Sequence, residues 1–187
     1  MRRLALLLLF AACSGDSGET PPPPPAPPAA TPPGPPVIEA PAPDVDLSHT
    51  LPPGWDIEIH MPKAWKESAR AVSEHEYQFA GEGEPGSRPE MDFGWKASDQ
   101  SLETFAEQQL GRYVSPAYKL LGKGEATVAG MPAKYCVFET RKVRGIEYCF
   151  AGHGYIGFLR GYAVIDEFAK WGPVFEEAAR RTRYIRR

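Results

Sequence analysis

Three thiols, Cys13, Cys136 and Cys149, are the groups in this chain best suited to covalent chemistry. An odd count requires at least one of them to act outside a pair. Cys136 and Cys149 sit in two β-rich runs, 133–140 and 146–151, on either side of the loop 141–145. A hairpin folded about residues 142 and 143 would set 136 directly opposite 149, within disulfide reach if that pair is non-hydrogen-bonded. The expectation is a structural disulfide, and closing a loop of that size contributes up to roughly 3 kcal/mol. No CxxC occurs, so a redox or metal-binding dithiol is not predicted.

Other residue patterns fail on context. Gly152-His153-Gly154-Tyr155-Ile156-Gly157 fits GxGxxG, but a dinucleotide site needs a helix to open there and present its amides to the phosphates. The residues that follow, Phe158-Leu159-Arg160-Gly161-Tyr162, favour a strand, so these glycines are expected to permit a bulge or close packing. Asp92-Phe93-Gly94 copies a kinase triplet without its companion motifs. The histidines at 49, 60, 75 and 153 are scattered, and no two have the spacing of a zinc motif. Glu74-His75-Glu76 is the nearest approach to a surface metal site. Neither a metal nor a cofactor is predicted, and GxSxG, SxxK and HExxH are all absent. One basic cluster remains, Arg180, Arg181, Arg183, Arg186 and Arg187. Cations suit a helix C-terminus, and the same residues could contact anionic lipid headgroups or an acidic partner.

Cys13 belongs to a different setting. Arg2 and Arg3 precede the apolar run 4–12, which ends in Ala11-Ala12. Nine residues of helix reach about 14 Å, against a hydrocarbon core about 30 Å thick. The run cannot span and reads as a signal segment. Ala11-Ala12-Cys13 resembles the lipobox of bacterial lipoproteins. That resemblance implies a diacylglyceryl group on Cys13, which becomes the mature N-terminus, and Ser14 at the next position implies sorting to the outer membrane. With Cys13 so used, the other two thiols are left as a pair in a compartment that permits disulfides.

Of 21 prolines in 187 residues, most lie before residue 54. Proline fixes φ and removes a donor, so the stretch 13–45 is expected to be a semi-rigid polyproline linker. A single globular domain is expected over 46–187. The formal net charge of −3 comes mostly from acids before residue 45, so composition makes no case for nucleic acid.

The elements that must position these groups follow from periodicity. Residues 56–61 alternate polar and apolar as a half-buried strand. Residues 71–80 and 91–95 read as two more strands, with a loop between them. Leu102, Phe105, Ala106, Leu110 and Tyr113 fall on one helical face, with Ser98, Asp99 or Ser101 as caps. Residues 118–128 read as a strand or a pair broken near Gly122-Lys123-Gly124, and 129–132 as a turn. The runs 133–140, 146–151 and 155–163 are strands. Asp166 is expected to cap a last helix with Phe168, Trp171 and Phe175 inward, which Gly172-Pro173 should bend or restart. A short strand at 183–185 closes the chain. The pattern predicts an α+β fold, an antiparallel sheet covered by helices.

This order of elements is similar to the PsbP-like superfamily. The likeness is carried by Gly54-Trp55-Asp56-Ile57, Met61-Pro62-Lys63-Ala64-Trp65, Ser101-Leu102-Glu103 and Val128-Ala129-Gly130-Met131-Pro132-Ala133. The superfamily includes an extrinsic photosystem II subunit, a Ran-binding import factor and DcrB-type bacterial envelope lipoproteins. The resemblance implies an α/β/α sandwich without enzymatic activity, and it transfers no catalytic residues. The resulting expectation is a membrane-tethered, non-catalytic accessory protein of the bacterial envelope, held by its lipid at the outer membrane, facing the periplasm and engaging an envelope protein or small ligand. The alternatives are an envelope hydrolase with an unrecognised site and a lipid or small-molecule carrier. A hydrolase requires a pocket of converging titratable groups, a carrier a dry apolar cavity, and a binder an exposed patch.

Overall fold

The structure is a computed structural model, and it describes residues 45–68 and 75–185. The expected signal segment, Cys13, most of the proline-rich stretch, Glu74, Arg186 and Arg187 lie outside the described residues.

Among the described residues, ten strands and two α-helices follow in the order β1 (Leu47–Thr50), β2 (Ile57–Pro62), β3 (Lys66–Glu67), β4 (Glu76–Ala80), β5 (Glu90–Ala97), α1 (Leu102–Leu110), β6 (Lys119–Val128), β7 (Met131–Glu139), β8 (Val143–Gly152), β9 (Tyr155–Val164), α2 (Phe168–Arg181) and β10 (Arg183–Tyr184). Seven strands form one sheet in the order β3-β4-β5-β9-β8-β7-β6, with every neighbouring pair antiparallel. A second sheet holds β1-β2-β10, so the first and last strands both pair with β2. This is the expected α+β class.

Alternation along each strand decides which side chains face which helix. Phe93, Trp95, Tyr135, Tyr148, Phe150 and Leu159 point to the side holding α2 and β2, where they join Ile57, Ile59, Phe168 and Phe175 in the principal core. Two glycines make this possible at close quarters. A Cβ on Gly161 would lie 2.2 Å from Phe175 Cγ, and one on Gly157 would lie 2.6 Å from Phe150 Cε2. The opposite face meets α1 through Phe105, Ala106, Cys149 and Ile156. Ser101 caps α1 by accepting from the amide of Thr104, as its sequence position predicts.

Several expectations are corrected. Of the two readings of residues 118–128, the single strand holds and the pair does not: 119–128 are continuous, with a register shift between Leu120 and Gly122 as a bulge. The chain enters α2 through a 3-10 turn, Ile165–Glu167, so Asp166 does not cap it, and the N-cap position is Glu167 without a side-chain hydrogen bond. Pro173 lies inside α2 without ending it. Its ring is buried beside Val174 and Phe175, and that packing carries the helix past the missing donor. The short strands β1 and β3 were not predicted. No helix among the described residues is long and apolar enough to cross a membrane.

Candidate functional site

On the α1 side the sheet carries a row of polar side chains that strand register places side by side. Gln78 of β4 faces Asp92 of β5, Asp92 faces Arg160 of β9, Arg160 faces Glu147 of β8, and Glu147 faces Cys136 of β7. Charges therefore alternate across the strands, and opposite charges at facing positions attract. The 3-10 turn after α1, Gly111–Val114, closes the row from above with Arg112 and Tyr113.

Each acid in the row is fully engaged. Glu147, 0% exposed, accepts from Arg112 Nη2 at 2.6 Å and from the Tyr113 hydroxyl, and lies 3.8 Å from Arg160 Nη1. Asp92 accepts from Arg160 Nε at 2.9 Å and from Gln78 Nε2 at 2.9 Å. Glu90 accepts from Arg88 Nε at 3.0 Å, Gln78 Nε2 at 3.2 Å and the Tyr162 hydroxyl. Burial alone would weaken the charge on Arg160, but Asp92 and Glu147 outweigh it and hold its pKa above the ordinary value. Burial, reinforced by the nearby carboxylates, raises the hydroxyls of Tyr113 and Tyr162. The row is a set of charge-assisted hydrogen bonds.

Beside the row lies an open basin of about 270 Å³, walled by Tyr113, Tyr118, Phe138 and Tyr162, with Arg160 at its edge. Tyr113 stacks on Phe138 with ring centroids 4.1 Å apart, and Tyr118 meets both rings edge-on. Aromatic walls beside a guanidinium suit a flat or anionic group.

Sequence reasoning missed this row because its members are distant in the chain and meet only through pairing. A signal was present in each strand, namely a charge inside an otherwise apolar run: Asp92 beside Met91 and Phe93, Glu147 beside Ile146, Arg160 beside Leu159. Buried charges of that kind require partners.

The predicted residues fall elsewhere or differently. Cys136 and Cys149 lie on the same face of neighbouring strands, but Cys136 is across from Glu147 and Cys149 is across from Lys134. Both thiols are free and buried. The expected facing pair fails because the turn is centred between Arg141 and Lys142, one residue earlier than predicted, which offsets the partners by two. Burial, with the Glu147 carboxylate next, pushes the Cys136 thiol up to about 12 and raises that of Cys149 as well. Among the arginines, Arg180 and Arg181 both donate to Glu177 and Arg183 faces Glu58, while Arg186 and Arg187 lie outside the described residues. The GxGxxG stretch is a hairpin turn between β8 and β9, with His153 and Gly154 at φ 56° and 81°. Asp92-Phe93-Gly94 is simply part of β5.

Strand pairing does bring two scattered histidines together. His49 of β1 faces His60 of β2, and Glu58 lies two residues along the same side of β2. Ligand atoms of His49, Glu58 and His60 all lie within 4.8 Å of one another.

The layers, strand order and terminal helix define the PsbP-like fold. The solution structure of cyanobacterial PsbP (CyanoP) from Synechocystis sp. PCC 6803 is similar with a TM-score of 0.56 at 12% identity, over 75% of this chain and 93% of that one. The crystal structure of LpqN, involved in cell envelope biogenesis of Mycobacterium tuberculosis, is similar with a TM-score of 0.55 at 15% identity, over 75% of this chain and 91% of that one. No protein-family model matches the chain, and no curated protein matches it.

Proposed function

We propose that this chain is a non-catalytic accessory lipoprotein of the bacterial cell envelope, anchored through Cys13 at the outer membrane and facing the periplasm. Its aromatic basin receives a protein or small ligand. The observation that carries the reading is the polar row beside that basin, in which Asp92, Glu90 and Glu147 are all paired and the tyrosine hydroxyls are held in their neutral form. Such a surface can recognise a partner by charge and shape, and its carboxylates are spent on hydrogen bonds within the protein. The signal segment and Ala11-Ala12-Cys13 support the anchor, and the envelope role of the structurally similar LpqN is consistent with the location.

The test has two arms. Labelled palmitate should enter the full chain and be lost with Cys13→Ser. A photo-crosslinking residue at Tyr118 should give a defined, saturable adduct in intact envelopes, and the same residue at Glu67, on the far edge of the sheet, should not. Absence of label sinks the anchor, and equal adducts at both positions sink the basin.

A further inference from the structure

We propose that His49, Glu58 and His60 form a binding site for a borderline divalent transition-metal cation, with zinc as the natural probe. The three residues share one side of the small sheet, away from Ile57, Ile59 and Met61, which point into the core. The site is on a different sheet from the aromatic basin, and it stands or falls independently of the proposed function.

Geometry is the first argument. His60 Nε2 lies 3.6 Å from Glu58 Oε1, too far for a hydrogen bond. Two ligands of one tetrahedral zinc, each about 2.0–2.2 Å from the ion, are separated by roughly 3.3 Å. His60 and Glu58 are therefore spread about as widely as a shared ion would hold them, and His49 has a ligand atom within 4.8 Å of both. The rings of His49 and His60 are tilted by 45° with centroids 5.9 Å apart, so they converge without stacking on each other.

The second argument is an uncommitted imidazole. His60 is 8% exposed, and its Nδ1 is buried with no hydrogen-bond partner. A buried polar atom left unpaired costs about 1–3 kcal/mol and calls for an explanation. No hydrogen bond to another described residue fixes this ring, so its Nε2, the nitrogen beside Glu58, is not committed to a competing partner.

Charge narrows the choice of ion. Arg183 faces Glu58 across the β10–β2 pair, and Arg181 is near enough to act on His60. With one carboxylate and two cationic neighbours, the site is poor for calcium or magnesium, which need several oxygen donors. Two imidazoles and one carboxylate suit zinc, copper or nickel, whose bonds to nitrogen withstand an unfavourable field. Three protein ligands leave a fourth position for water or an outside donor, on the side where His49 is exposed.

The experiment uses the full chain stripped with a chelator, then titrated with zinc against a chromophoric competitor. Cys13→Ser/Cys136→Ser/Cys149→Ser serves as the background, so that thiols do not contribute, and His153→Ala controls for adventitious surface imidazole binding. One zinc per chain is expected. His49→Ala and Glu58→Gln, both at positions that can be altered without opening the core, should each weaken it by at least about 10-fold, with His153→Ala unchanged. Zinc should also raise the Tm of the background protein and leave that of its His49→Ala derivative unmoved. Failure to take up one equivalent, or affinity unchanged from the background protein in His49→Ala and Glu58→Gln, overturns the site.

Discussion

At the scale of single residues, Cys136 shows how register changes chemistry. Facing Cys149 it would have been half of a disulfide; facing Glu147 it is a buried thiol beside a carboxylate. Its pKa moves from 9.0 to about 12. In the unfolded chain the thiol ionises near the lower value, so the stability this group contributes is complete below pH 9 and is lost as pH climbs towards 12. Urea midpoints measured across that window should fall for the wild type and fall less for Cys136→Ala. Equal slopes would contradict the assignment. The sequence placed both thiols on neighbouring strands and on one face, because alternation is local. It misplaced the partner because a four-residue turn can close about either of two centres, and only the surrounding sheet chooses between them. The polar row was hidden for a related reason: Gln78, Asp92, Glu147 and Arg160 become neighbours only once four strands are in register.

At the scale of elements, α2 sits on the sheet through an aromatic side chain resting on bare backbone. Phe175 is 0% exposed and its ring occupies the space a side chain at position 161 would need. Gly161→Ala should therefore force α2 away from β9 and destabilise the protein by about 1–3 kcal/mol, read as a lowered Tm. Phe175→Leu in the same background should recover part of the loss, because a smaller side chain relieves the clash. If Gly161→Ala is as stable as the wild type, α2 is not seated as described. The helix itself was legible from its apolar spacing, whereas its start was not. Asp166 has the type of a cap, but the chain is still in a 3-10 turn there. The brief strands β1 and β3 left no readable period, since four and two residues are too few to show one.

At the scale of the whole molecule, the two sheets differ in how they are held. The central strands β5, β9, β8 and β7 each have a partner on both sides and bury most of the core. The small sheet relies on four register pairs between β1 and β2 and two between β10 and β2. Amide hydrogen exchange should reflect this difference, with β1 and β10 opening at low free energy and the central strands exchanging only on global unfolding. Uniform protection would mean that the small sheet is as firmly held as the large one.

The position of β1 has a mechanical consequence. Leu47 pairs with Pro62 at the open end of the β1–β2 pair, and Thr50 pairs with Ile59 at the end nearest the connecting turn. A load applied from the N-terminal side therefore strips the pairs one after another, like a zipper, and the third to part is His49 from His60. Tension on the chain ahead of β1 would part the histidine pair before the seven-stranded sheet is loaded, and an ion clasped between β1 and β2 would act as the rivet that resists peeling.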